Sequence, residues 1–277
     1  MYKSAVGMAT CNSGKYIQEV LCHNYLVGFD KIIVVLDQCD DDTHGKIQKL
    51  PDEVLAKIDV LDNGPARADC GYQHRAYQTI YDQYKGKVEW LAMFDDDEYF
   101  YDSQKRRVNE MLETIPADAS QVMVPWIRFS HNNQVLSAPS DITRLAYFTM
   151  REDHHILEAK AFIRLDHVVT SGITADWYRV HSAKVSGKTV TFDGKECSLI
   201  GCTQMIPEHY DTCLSHYITG SMEDWVIKYR KWKRENETAC KPLDRSFNCF
   251  AKSNGNIEDT RMSIYVDELK ELLLQCK

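Results

Sequence analysis

No two of the ten cysteines (Cys11, Cys22, Cys39, Cys70, Cys197, Cys202, Cys213, Cys240, Cys249 and Cys276) form a C-x-x-C pair. That excludes a zinc ribbon and a thioredoxin-like redox motif, so reduced thiols are expected. No apolar run is long enough to span a bilayer, and the opening Met1-Tyr2-Lys3-Ser4-Ala5-Val6-Gly7-Met8 is too short and polar for a signal peptide. The expectation is a cytoplasmic or otherwise soluble protein with no transmembrane segment. Basic residues are in deficit, 33 Lys and Arg against 41 Asp and Glu for a net charge of -8, which excludes nucleic acid as the main partner. An acidic chain still binds phosphorylated ligands where a metal ion supplies positive charge locally. Internal repeats, low-complexity tracts and linkers are absent, so the 277 residues fit one domain better than two.

Apolar residues at 44% and charged residues at 27% match a soluble globular chain. Residues 3–9 read as a short strand, and 15–27 as a helix whose Ile17, Val20, Leu21 and Leu26 lie roughly on one face. Lys31-Ile32-Ile33-Val34-Val35-Leu36 is a near-continuous apolar run, as in a parallel strand covered on both sides. Asp37, followed by Asp40, Asp41, Asp42 and Thr43, stands where that strand ends, at the edge where α/β sheets place their ligands. A strand at 57–61, a helix at 72–84 and a strand at 88–94 continue the alternation. The fold class is therefore α/β, Rossmann-like, with a mostly parallel central sheet flanked by helices. A helix at 104–115 and a strand at 121–129 follow, then an irregular, strand-rich stretch through 188. Ser221 and Asp224 have the spacing of a capping box for a helix over 221–234, and an amphipathic helix spans 263–274.

The strand at 88–94 ends abruptly in Asp95-Asp96-Asp97-Glu98, before the aromatic pair Tyr99-Phe100. Four adjacent carboxylates repel one another. Alternation along an extended chain sends Asp95 and Asp97 to one side and Asp96 and Glu98 to the other. Two oxygen ligands then face one hard cation, Mn²⁺ or Mg²⁺, with positions left for phosphate oxygens. A solvated acidic turn is the competing reading, and the position directly after a buried strand favours a site. Such a metal would neutralise a departing nucleoside diphosphate. The acidic run by itself does not separate a glycosyltransferase from a sugar nucleotidyltransferase.

Several separated segments between residues 9 and 234 together resemble the GT-A glycosyltransferases related to families 2 and 92. Asn12, Tyr16, Gly28-Phe29-Asp30-Lys31-Ile32 and the stretch from Asp37 to Thr43 look like that family's opening. Gln73 and Tyr77 match its helix before the metal strand, and Trp90 with Phe94-Asp95-Asp96-Asp97-Glu98-Tyr99-Phe100 is similar to its tryptophan followed by D-x-D-E-F. Trp126-Ile127-Arg128-Phe129, then Lys160-Ala161-Phe162-Ile163-Arg164 with His181, then His216-Tyr217 with Ser221, Glu223 and Lys228, resemble its later blocks in the same order. Departures occur at Cys11-Asn12-Ser13, at Ser130-His131-Asn132-Asn133 and at Gly220-Ser221, where the family has K-N-E, a glycine-bearing segment and K-S.

The resemblance implies a single GT-A catalytic domain over 1–277, with 1–100 binding the nucleotide sugar and 101–277 holding the acceptor and the last helices. It implies a metal-dependent, inverting transfer from a UDP-sugar to a hydroxyl of a glycan or glycoprotein. Asp95 and Asp97 would hold the metal and diphosphate, completed by His181 or His216. Thr10, Asn12, Asp37, Gln73, Asp95 and Asp96 are the expected nucleotide-sugar contacts, and Lys228 would reach phosphate. Asp141 or Asp176 would take the acceptor proton, and Trp126 would stack on a sugar ring. Turn chemistry, helix capping and core packing are the ordinary alternatives for these residues. A sugar nucleotidyltransferase would need a glycine- and lysine-rich phosphate loop, which is not evident at 9–15, and a non-catalytic glycan-binding relative would be favoured by loss of the acidic pair, which is kept.

Overall fold

Both faces of β1 (Tyr2–Thr10) are buried: Val6 and Met8 join a core layer with Ile17, Val20 and Leu21 of α1 (Ile17–Leu26), while Ala5 and Ala9 enter a second layer. The computed structural model describes residues 1–64, 71–153, 158–169, 181–197, 211–235, 250–251 and 254–277. β2 (Lys31–Leu36) repeats the division, with Ile32 and Val34 in the first layer and Ile33 and Val35 in the second. A strand covered on both sides is apolar at successive positions, which explains its unbroken run. Two short helices, α2 (Thr43–Ile47) and α3 (Asp52–Leu55), lead to β3 (Ile58–Asp62), α4 (Tyr72–Tyr84) and β4 (Val88–Met93). α4 puts Ala76, Tyr77, Ile80, Tyr81 and Tyr84 into the second layer. Its close approach to β1 requires Gly7, where a Cβ would lie 2.7 Å from Ile80 Cδ1 and 3.1 Å from Met93 Sδ.

These strands lie in the order β3-β2-β1-β4, all parallel. The chain continues through β5 (Glu98–Asp102), α5 (Val108–Glu113), β6 (Ala119–Arg128), α6 (Arg144–Tyr147), β7 (Met150–Arg151), β8 (Ala159–Arg164), β9 (Lys188–Thr191) and β10 (Thr212–His216). It then forms α7 (Met222–Glu235), β11 (Ile257–Glu258), a 3₁₀ turn at Arg261–Tyr265 and α8 (Val266–Leu273). β8 runs antiparallel between β4 and β6, β9 and β10 run parallel to β6, and β5 closes the order antiparallel to β10. The result is a mixed α/β fold, a mostly parallel sheet with helices on its faces. β7 and β11 pair separately.

Two expectations change. The segment directly after the acidic run is a strand, β5, whose partner β10 lies more than a hundred residues downstream. The helix expected over 104–115 begins only at Val108, because the Asp102 carboxylate accepts from Gln104 N at 3.2 Å and Arg106 N at 3.0 Å and holds that segment in a turn. The Ser221–Asp224 capping box is present: Asp224 N donates to Ser221 Oγ at 3.1 Å, and Ser221 N donates back to Asp224 Oδ2 at 2.9 Å. Cys11, Cys22, Cys39, Cys197, Cys213 and Cys276 are free thiols, and Cys70, Cys202, Cys240 and Cys249 lie outside the described residues. Among the described residues no helix is long and apolar enough to cross a membrane.

Candidate active site

The chain builds β1, β2 and β3 outward in one direction and then returns to set β4 on the other side of β1. In open α/β sheets the crevice at such a reversal, beyond the carboxyl ends of the strands, is where ligands bind. Here those ends are Thr10 and its following loop, and the residues after Met93. Asn12 has φ 52° and Gln38 φ 47°, a left-handed conformation that asparagine tolerates better than most residues. The Asn12 carboxamide accepts from Asp40 N at 2.9 Å and donates to the Asp40 carboxylate. It therefore ties the loop after β1 to the loop after β2.

The acidic run is a tight turn, not the extended segment expected from the sequence. Glu98 N donates to Asp95 O at 3.1 Å, and Asp95 N donates to Glu98 Oε2 at 2.8 Å. The four carboxylates consequently have separate surroundings. Asp95 accepts from Gln73 Nε2 at 2.9 Å and Tyr77 OH at 3.2 Å and pairs with Lys160 Nζ at 3.2 Å. Asp96 accepts from the Thr10 and Ser13 hydroxyls. Asp97 meets Lys228 Nζ at 2.6 Å and His216 Nε2 at 3.3 Å. Glu98 is fully buried, 3.6 Å from Lys160 Nζ.

Burial pushes the Asp97 carboxyl up, but Lys228 and His216 outweigh it and hold the group well below the usual carboxylate range. Burial likewise opposes ionisation of Asp95, and the neighbouring Lys160 brings it below its ordinary value. Glu98 goes the other way, because burial and the Asp95 charge exceed what Lys160 returns. The turn thus separates two ionised aspartates from a glutamate that favours its proton.

A cavity of about 320 Å³ opens beside the turn, lined by Asn12, Ser13, Tyr16, Asp96, Asp97, Arg144, Gly220 and Lys228 among others. Of the residues expected from the sequence, Asn12, Asp96, Asp97 and Lys228 meet there. Thr10 and His216 touch Asp96 and Asp97 through the contacts above, whereas Asp95, held by Gln73, begins the turn and is not part of the lining. Asp37 is buried at the end of β2, where it accepts from Asn63 Nδ2 at 2.6 Å and Arg75 Nη2 at 2.9 Å. Trp126 is also buried, its ring 4.8 Å from that of His181 and 4.3 Å from that of His216. Asp141 is exposed on the loop before α6 and is not part of the lining; Asp176 lies outside the described residues. Lys160, Arg144, Ser13 and Tyr16 were not singled out for the site by residue type. Lys160 and Tyr16 stood only inside matched segments, and Arg144 gave no local signal.

Among the described residues no three His, Cys, Asp or Glu side chains converge on one point as a preformed metal cage would require. Mg²⁺ and similar hard ions, however, commonly take one or two carboxylates and complete their shell with substrate phosphates and water. Asp97 Oδ1 supplies one such carboxylate oxygen, and His216 Nε2 at 3.3 Å adds a nitrogen donor of the kind softer divalent ions take.

Behind the cavity Glu19 is buried, and its Oε2 accepts from Arg144 N at 2.9 Å. Burial pushes its carboxyl from 4.5 up to about 7. The folded protein therefore holds a proton that the unfolded chain releases, so this contribution to stability is complete below pH 4.5 and lost as pH rises through 7. Glu19→Gln removes the titration. Thermal melts should show the variant gaining on the parent by about 2–3 kcal/mol between pH 4.5 and pH 8, whereas a pH-independent difference would place the charge elsewhere.

No family model matches the chain, and no curated protein matches it. Among solved structures it is similar to S. aureus TarS 1-349, at 14% identity and a TM-score of 0.43, covering 90% of this chain and 70% of that one. A second S. aureus TarS structure gives 15% identity and a TM-score of 0.44, and there the same 90% of this chain spans 42% of the other. The glucosyl-3-phosphoglycerate synthase of Mycobacterium tuberculosis, solved with Mg²⁺ and UDP, gives 12% identity and a TM-score of 0.35, covering 75% of this chain and 73% of that one.

Proposed function

We propose that this chain is a GT-A glycosyltransferase of the family 2 and family 92 kind, moving a sugar with inversion from a UDP-sugar to a hydroxyl of a glycan, assisted by Mn²⁺ or Mg²⁺. The observation that carries this reading is the acidic turn at the switch point between β1 and β4, where Asp96 and Asp97 line one cavity with Asn12 and Lys228. The cavity volume falls within the range of small-ligand sites. Its walls come from both parts of the chain, residues 11–97 and 144–228, which supports a nucleotide-sugar half over 1–100 working against an acceptor half over 101–277.

In this reading Thr10, Asn12 and Asp37 contact base and ribose from the strand ends, with Gln73 steadying Asp95. Asp97 and His216 hold the ion, with Asp95 beside them, and His181 is the alternative ligand. When bound, the ion offsets the charge that builds on the departing diphosphate. Lys228, fixed between Asp97 and the Ile218 carbonyl at 3.0 Å, adds a positive charge at the cavity wall. Asp141 and Asp176 stay as the proposed acceptors of the hydroxyl proton, and Trp126 as the proposed sugar-stacking residue.

A panel of nucleotide sugars with Mn²⁺, read by thermal shift, tests the donor assignment. A true donor at a hundredfold excess over its dissociation constant adds about 2.7 kcal/mol, or roughly 5–10 °C for a chain of this size. Asp95→Asn and Asp97→Asn should abolish the metal-dependent part. If no nucleotide sugar stabilises the native protein in the presence of metal, the reading loses its basis.

A further inference from the structure

Arg144 is the first residue of α6 and only 7% exposed, yet it lines the cavity. Other cations of low exposure have carboxylates: Lys160 has Asp95 and Glu98, Arg75 has Asp37, and Lys31, at the opposite end of the strands, has Asp59 at 2.7 Å. Arg144 has none within 4.0 Å among the described residues. Its guanidinium lies over the Tyr16 ring at 3.7 Å and makes one long hydrogen bond, from Nη1 to the Asp96 carbonyl at 3.5 Å, while Nε is buried without a partner. A guanidinium does not lose its charge in a protein, and a desolvated charge is costly unless an opposite charge meets it. The face of Tyr16, the carbonyl of Asp96 and the charges of Asp224 and Asp97, which lie beyond ion-pair distance, offset part of that cost. Arg144 is at the same time one of the residues that line the cavity.

We propose that Arg144 is the anion-recognising residue of this cavity, its guanidinium receiving an oxyanion of the substrate, either a phosphate of the nucleotide or a carboxylate on the transferred sugar. The assignment rests on the donor reading above for its substrate, although the geometry asks only for an oxyanion. Phosphate and carboxylate both match the fork in a two-pronged arrangement that an ammonium does not reproduce. Because Arg144 touches the carbonyl of Asp96, the anion would be received beside the turn that carries Asp97.

Calorimetric titration of the full chain and of Arg144→Gln with inorganic pyrophosphate, uridine, UDP, UDP-glucose and UDP-glucuronate tests this. For a phosphate, Arg144→Gln weakens pyrophosphate and UDP at least tenfold while uridine changes less than twofold. For a carboxylate, UDP is unchanged and the parent's preference for UDP-glucuronate over UDP-glucose disappears. Arg144→Lys should recover less than half of the lost binding free energy in either case, and it carries the comparison if Arg144→Gln does not fold. Equal weakening of uridine and UDP, as a structural role predicts, overturns the inference. So does an unchanged set of affinities, or a parent that binds none of the five probes. Uridine binding in the parent with no effect of Arg144→Gln removes the arginine and keeps the nucleotide reading. Arginine-dependent pyrophosphate binding without any uridine binding does the reverse.

Discussion

Asp97→Asn is expected to lower kcat/KM for sugar transfer by about 10²–10³-fold, the usual scale for removing one group that stabilises charge in a transition state. The carboxylate sits between Lys228 at 2.6 Å and His216 at 3.3 Å and is held ionised by both against the effect of burial. An asparagine keeps the shape and removes the charge, so on the proposed reading the ion would lose a ligand while Lys228 loses its carboxylate and keeps the Ile218 carbonyl. Stability should change much less, because the Lys228 side chain is 27% exposed and its ammonium can turn to water. Steady-state kinetics across a metal titration provide the check. A loss under tenfold at saturating metal would take Asp97 out of the site.

Lys160→Met should cost about 3–5 kcal/mol of folding stability, the scale found when one partner of a buried ion pair is removed. Lys160 is completely buried, with its ammonium 3.2 Å from Asp95 Oδ2 and 3.6 Å from Glu98 Oε2 and near the Trp126 ring. Without it the ionised Asp95 loses its counter-charge beside the buried Glu98, and both pKa values rise. The penalty is therefore expected to shrink at low pH, where the carboxyls take up protons, and to be largest above neutrality. Urea denaturation at pH 5 and pH 8 measures both features. A pH-independent loss below 1 kcal/mol would mean that the lysine is dispensable to the turn.

The parts of this fold legible in the sequence are those whose signal is local. The run Lys31–Leu36 reads as a buried parallel strand because both its faces are covered, and Tyr72–Tyr84 reads as a helix because its apolar residues recur on one face. β5 did not show itself, since only its pairing with β10 makes it a strand. The site divides in the same way. Four carboxylates after an apolar strand announce a site, but their separate roles depend on Lys160, His216 and Lys228, which arrive from β8, β10 and α7. The turn at 95–98 also defeated the alternation argument, because a backbone that bends does not send successive side chains to opposite sides. Arg144 is an exposed-type residue just before the apolar Leu145-Ala146-Tyr147-Phe148, and nothing short of the tertiary structure shows that it is buried beside Tyr16.

A crystal structure of the chain soaked with UDP and Mn²⁺, with anomalous scattering recorded for the metal, tests the proposed donor and metal sites together. The diphosphate should lie in the cavity between Asn12 and Lys228, with the anomalous peak beside Asp97 and His216. UDP bound elsewhere, or a metal peak away from the turn after β4, would contradict that placement.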